Sequence, residues 1–169
     1  MLGKRIVVVG VSAAGKTTFA KALAERTKLP LVLMDAVMWK PGWNYIGDEA
    51  TDARLHELST APEWIIEGYI TTSARAFLFE RADTVIYLDY APHVNAWRYL
   101  KRWFMHRKRP RPELPGSPER FKASRLKLAW TKGEAKFLNA NLARIDQTKL
   151  VTLSSSGDAD EFLEELHSA

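Results

Sequence analysis

The chain has 169 residues, 46% of them apolar and 27% charged, the composition of one globular, soluble domain spanning residues 1–169. It has no cysteine, which excludes a disulfide framework and cysteine-ligated metal sites. The net charge of +5 suits an anionic ligand, nucleotide or nucleic acid, without choosing between them.

In chain order, the first apolar run is residues 6–9. It reads as a strand and is too short for a signal-peptide core or a membrane span, so the expected location is cytoplasmic, with no membrane partner. A helical pattern follows over 16–26, then a strand over 31–34 and a helix over 48–60. A third strand over 64–66 leads to a helix over 72–81, and a fourth strand over 85–88 to a long helical stretch after Tyr90. A fifth strand covers 150–153. The last helix, about 158–167, follows the capping residues Ser154-Ser155-Ser156-Gly157. Continuous apolar runs suit strands buried on both faces, and their alternation with helices predicts an α/β fold: a parallel five-stranded sheet with helices on both sides.

One segment breaks this rhythm. Pro110, Pro112, Pro115, Pro118 and Gly116 rule out a continuous helix. They predict a lid at about 106–120, between a helix ending near Arg107 and another starting near Glu119. Lys101, Arg102, Arg107, Lys108, Arg109 and Arg111 crowd one stretch with no acid among them.

Residues Gly10-Val11-Ser12-Ala13-Ala14-Gly15-Lys16-Thr17 match the P-loop pattern throughout, with a strand leading in and a helix leading out. The glycines allow a tight wrap that points successive N–H groups at phosphate, and the helix adds its positive end. Gly10, Ser12, Ala13, Ala14 and Gly15 are therefore the expected cradle. Lys16 reaches the β- and γ-phosphates, Thr17 offers its hydroxyl to Mg2+, and Thr18 is a candidate for the α-phosphate. A dinucleotide fold would need glycine where Ser12 stands.

The blocks Met34-Asp35 with Trp39-Lys40-Pro41-Gly42-Trp43, Trp64-Ile65-Ile66-Glu67-Gly68-Tyr69, and Arg81-Ala82-Asp83-Thr84-Val85-Ile86-Tyr87-Leu88-Asp89 resemble the adenylate kinase group. The closest branch is the one known as adenylate kinase-related or DNA topology modulation proteins. That resemblance, over about residues 3–130, implies a kinase using ATP and Mg2+, with a mobile lid over the nucleotide. Asp35, at the end of the second strand, would orient or deprotonate the acceptor hydroxyl; a carboxylate capping a turn is the alternative. Glu67, where adenylate kinases have the Asp of an Asp-Gly pair, would hold Mg2+ through water; a surface glutamate at a strand end is the alternative. Arg98 and Arg102, four residues apart on one helix face, are similar to the arginine pair of adenylate kinases, one packing on adenine and one on the transferring phosphate. A solvated basic face is the other reading of them. Arg107, Arg109, Arg111 and Arg120 are further lid candidates.

The chain also departs from adenylate kinase. Thr71 stands where that family has its AMP-binding arginine, and Arg75 is displaced from it by a helical turn. Trp39, Trp43 and Tyr45 either line an acceptor pocket or pack in a loop. The expected partners are ATP and a small-molecule acceptor, the chain being a monomer or homodimer. A nucleotide-binding switch without transferase activity is one alternative; the other is a nucleic-acid-associated ATPase or regulator of DNA topology, for which the basic run and Trp97, Tyr99, Trp103 and Phe104 speak. Against it, His93, Trp97, Leu100 and Phe104 form a stripe expected to pack inward.

Overall fold

Short β-branched runs alternate with mixed segments, and the computed structural model, which describes residues 2–68 and 72–166, forms one element from almost every run. Strand β1 (Arg5–Gly10) leads into helix α1 (Lys16–Thr27). β2 (Leu31–Leu33) leads into α2 (Met34–Met38), then a two-stranded hairpin of β3 (Trp39–Lys40) and β4 (Asn44–Tyr45), and α3 (Asp48–Leu58). β5 (Trp64–Glu67), α4 (Thr72–Arg81), β6 (Thr84–Leu88) and α5 (Pro92–His106) follow. The chain continues through α6 (Ala123–Thr131), α7 (Ala135–Leu142), β7 (Leu150–Leu153) and α8 (Ser156–Glu165).

The main sheet has the order β2-β5-β1-β6-β7, with every pairing parallel. Alternate residues of the central strands serve two cores. Val7, Val9, Trp64, Ile66, Val85 and Tyr87 pack with Met34, Leu55, Leu78 and Leu138, from α2, α3, α4 and α7. Ile6, Val8, Ile65, Ile86 and Leu88 pack with Phe19, Leu23, Ala159 and Leu163, from α1 and α8. Burial on both faces is why these strands read as continuous apolar runs.

Four expectations change. The second strand stops at Leu33, because Met34 turns fully inward and opens α2, so Asp35 sits in the first turn of a helix. The helix after the lid starts at Ala123 rather than near Glu119. Glu119 stays out of it because its amide donates to the His106 carbonyl at 3.0 Å while its carboxylate turns inward. The stripe of His93, Trp97, Leu100 and Phe104 does not pack inward: Trp97 is 67% and Phe104 62% exposed, and His93 is exposed as well. Asn95, Ala96 and Tyr99 take the inner face. Asn95 donates to the Tyr90 carbonyl at 3.1 Å, and the Tyr99 hydroxyl joins both the amide and the carbonyl of Lys122, at 2.8 and 3.1 Å. Hydrogen bonds made by Asn95 and Tyr99 thus orient α5 where apolar periodicity pointed the other way. Finally, α8 begins at Ser156, its Ser155 and Asp158 forming a reciprocal capping box. The Tyr69 to Thr71 part of the sequence block and His167 lie outside the described residues.

Candidate active site

β1 lies between β5 and β6, where the order of the sheet reverses, and the carboxyl ends of its strands converge on one crevice. β1 delivers the P-loop there, β5 delivers Glu67 as its last residue, and β2 delivers Asp35 two residues on. The crevice opens into a cavity of about 1300 Å3. Sites for one small ligand are typically about 300–1,000 Å3, so there is room for a nucleotide and a second molecule.

The loop is wound tightly. Ala13 has φ 64° and Gly15 φ 91°. A non-glycine residue held in this region stores on the order of 1–3 kcal/mol, the kind of strain found at ligand clamps. A Cβ on Gly15 would also lie 2.8 Å from Nη1 of Arg98. Gly10, Ser12, Ala13, Gly15, Lys16, Thr17 and Thr18 line the cavity. Ala14 does not: it is fully buried, and its amide donates to the Val11 carbonyl at 3.2 Å. The Lys16 ammonium donates to the carbonyls of Gly10 and Val11, both at 3.0 Å. Burial pulls its pKa down, while the charges of Glu67, Asp35 and Glu134 push it back up.

The Thr17 hydroxyl donates to Oε2 of Glu67 at 3.2 Å. Glu67 is only 3% exposed, and burial raises its pKa to about 7 against the opposing pull of Lys16. A buried carboxylate this poorly compensated, beside a hydroxyl, is a hard-oxygen pair that suits Mg2+ completed by phosphate oxygens and water. Thr17 and Glu67 are the residues that would hold the ion. The raised pKa also carries a prediction for the metal-free chain. Between about pH 4.5 and pH 7 the folded state holds a proton that the unfolded state has released. Stability is therefore greatest at the acid end of that window and falls as pH rises through it. In Glu67→Gln this fall should flatten, as read by urea unfolding in chelator at pH 5 and pH 8.

Arg98 and Arg102 both face the cavity. Arg98 donates to the Ala14 carbonyl at 2.6 Å and to the Ser156 hydroxyl at 2.9 Å, and its guanidinium lies 4.6 Å from the centre of the Tyr90 ring. Arg102 lies 5.7 Å from the Tyr99 ring, with its Nε 3.4 Å from Oε1 of Glu119.

The proline-broken segment after α5 covers this cavity. Its Ser117 hydroxyl accepts from the amides of Gly42 and Trp43, at 3.1 and 3.3 Å, and its Pro118 carbonyl accepts from the Trp43 indole at 2.8 Å. Lys21 of α1 pairs with its Glu113 at 3.2 Å. Among the arginines that follow α5, Arg111 stands apart from the rest. Arg111 is 8% exposed, while Arg107, Arg109 and Arg120 are exposed. Its Nη2 donates to Oδ2 of Asp35 at 3.1 Å, and it also pairs with Glu119 at 3.0 Å and Glu113 at 3.5 Å. Pro110 and Pro112 flank it and stiffen the backbone that presents it. Glu113 and Glu119 were missed, although they are the only acids between Tyr90 and Gly133, a signal the sequence did carry. Glu134, which also reaches the P-loop, was missed as well.

Beyond Asp35 the cavity is walled by the hairpin. The Trp39 ring meets Trp43 edge-on at 5.5 Å and Tyr45 at 5.2 Å. All three rings line the cavity, and Trp39 also packs against the core. No helix among the described residues is long and apolar enough to cross a membrane.

No protein-family model matches the chain, and no curated protein matches it. Solved structures do. A shikimate kinase from Acinetobacter baumannii, solved in complex with shikimate, is 17% identical with a TM-score of 0.66, over 97% of this chain and 90% of its own. A shikimate kinase from Bacteroides thetaiotaomicron is 18% identical with a TM-score of 0.62, over 97% and 96%. A gluconokinase from Sinorhizobium meliloti 1021 is 22% identical with a TM-score of 0.56, over 98% and 90%. At these identities the likeness is one of fold, and it runs the length of the chain: the parallel sheet and flanking helices are arranged as in these solved structures.

Proposed function

We propose that the chain is a kinase that transfers the γ-phosphoryl group of ATP to a hydroxyl of a small acceptor. The observation that carries this reading is the joining of a complete P-loop and the Asp35–Arg111 pair in one cavity large enough for two ligands. Thr17 and Glu67 would hold Mg2+, which would supply charge neutralisation at the phosphates. The loop amides and Lys16 bind the triphosphate, and Arg98, stacked on Tyr90, sits beside the loop where a base or phosphate docks. Asp35 takes the proton of the acceptor hydroxyl as its oxygen bonds to the γ-phosphorus and the bond to the bridging oxygen breaks, releasing ADP. Arg102 and Arg111, carried by α5 and the lid, face the charge that develops on the transferring group. The lid excludes water, which favours transfer over hydrolysis.

The finer resemblance, to adenylate kinase-related or DNA topology modulation proteins, is supported by the P-loop, the Glu67-Gly68 pair and the arginines of α5. The solved structures named above act on shikimate and gluconate by name, and their fold supports a non-nucleotide acceptor equally. ADP release from ATP across nucleoside monophosphates, nucleosides, sugars and polyol carboxylates separates these. Stimulation by one class identifies the acceptor, and no stimulation by any refutes the transferase reading.

A second reading keeps one specific observation. Trp97 and Phe104 face solvent beside Lys101, and Arg107 lies over Phe104 at 4.6 Å, an aromatic and basic surface of the kind that stacks single strands. ATP-independent binding of single-stranded DNA that weakens steeply with salt would favour it.

A further inference from the structure

The phosphate cradle already holds an anion of the protein's own. Oε2 of Glu134 accepts from the Ser12 amide at 2.7 Å, a short, charge-assisted contact across 122 residues of sequence. The side chain lines the same cavity as Lys16 and Thr17, and its charge acts on the Lys16 ammonium. Glu134 stands immediately before α7, on a turn fixed from the other side: Lys132 pairs with Asp89 at 2.6 Å, and the Tyr87 hydroxyl donates to the same carboxylate oxygen at 3.0 Å. The turn therefore aims the carboxylate at the loop. Lys16 is satisfied internally as well, by the carbonyls of Gly10 and Val11. Both the donor and the cation of the cradle are thus engaged by groups of this chain.

We propose that Glu134 is a built-in competitor for the phosphate cradle, its carboxylate holding the Ser12 amide until a triphosphate displaces it. A polyphosphate and a carboxylate cannot share the donors of one cradle without strong like-charge repulsion in a partly buried site. Nucleotide binding must move Glu134 away, so the apparent affinity is reduced by the fraction of molecules in which the carboxylate is in place. The exchange also links the triphosphate to the start of α7, whose Leu138 and Leu142 belong to the core. This inference rests on the triphosphate occupying the P-loop.

Calorimetric titration of the full chain with ATP and with adenosine tests it, in the wild type, Glu134→Gln and Glu134→Ala. The glutamine is isosteric and still accepts from the Ser12 amide, so it keeps the turn while removing the charge. ATP should bind both variants about tenfold more tightly than the wild type, and adenosine, which has no phosphate, should bind them unchanged. ATP binding equal to or weaker than wild type in Glu134→Gln overturns the competitor role. Tightening of adenosine and ATP alike overturns it too, because the cavity has then loosened generally. If the wild type binds adenosine but gains nothing from the triphosphate, the P-loop reading fails first and this one falls with it.

Discussion

Replacing Lys16 by alanine removes most of the affinity for ATP and leaves the chain folded. The side chain belongs to neither core cluster, and its ammonium is bonded only to two carbonyls of its own loop. Burial disfavours its charge in the folded state, so losing it does not weaken the fold. With a triphosphate the balance reverses, because the ammonium then faces oxygens of the β- and γ-phosphates. Hydrogen bonds to charged groups contribute about 1.5–3 kcal/mol each, so loss of two should weaken ATP binding by roughly 100-fold or more. Calorimetry measures the affinity, and thermal unfolding without nucleotide should superimpose on the wild type. ATP affinity that survives the substitution would remove the P-loop from the account.

What could be read in the sequence follows from where physical constraints are local. The strands were legible because a parallel strand covered on both faces has to be apolar throughout, and Ile6 to Val9 and Val85 to Leu88 are. The P-loop was legible because its chemistry comes from backbone N–H groups, and only a fixed spacing of glycines shapes that backbone. The Glu67 and Asp35 positions followed from the strand ends. The orientation of α5 was not legible, because its inward face is chosen by hydrogen bonds of Asn95 and Tyr99 to Tyr90 and Lys122, partners that periodicity does not register. Nor was the boundary of α2, where Met34 continues an apolar run yet starts a helix. Arg111 could not be ranked above its neighbours because its significance is tertiary: it meets Asp35 across 76 residues, and Glu119 and Glu113 gather around it only in the folded lid. Ser12 and Glu134 meet across a still longer separation.

The Arg111 cluster bears on the acceptor. A buried arginine among three carboxylates is compensated beyond its own charge, and Lys21 and Arg102 offset two of those acids. The proline-broken segment thus reaches the cavity as a nearly neutral network. In the proposed transfer, Arg111 would exchange its contact with Asp35 for one with phosphate, leaving Asp35 free to accept a proton. The proposed reaction would thus couple the position of this segment to the availability of Asp35 as a base through one 3.1 Å contact.

That coupling makes Asp35→Asn the most informative change on the acceptor side. Asparagine is nearly isosteric, and its carbonyl oxygen still accepts from Nη2 of Arg111, so the lid keeps its tether. What it loses is the charge and the capacity to take the acceptor's proton. The Asp35 side chain is about one-third exposed and opens on the cavity, so the substitution leaves no buried group unpaired. Turnover on the acceptor identified by ADP release should fall roughly 100-fold or more, the scale on which a general base contributes. ATP affinity should change little, since the P-loop, Lys16 and Thr17 are untouched, and the loss should appear in kcat at saturating ATP. A fall in ATP affinity that matches the fall in turnover would instead make Asp35 part of the nucleotide site. Turnover within about threefold of wild type would leave Asp35 as a tether for Arg111 and require the proton to go elsewhere.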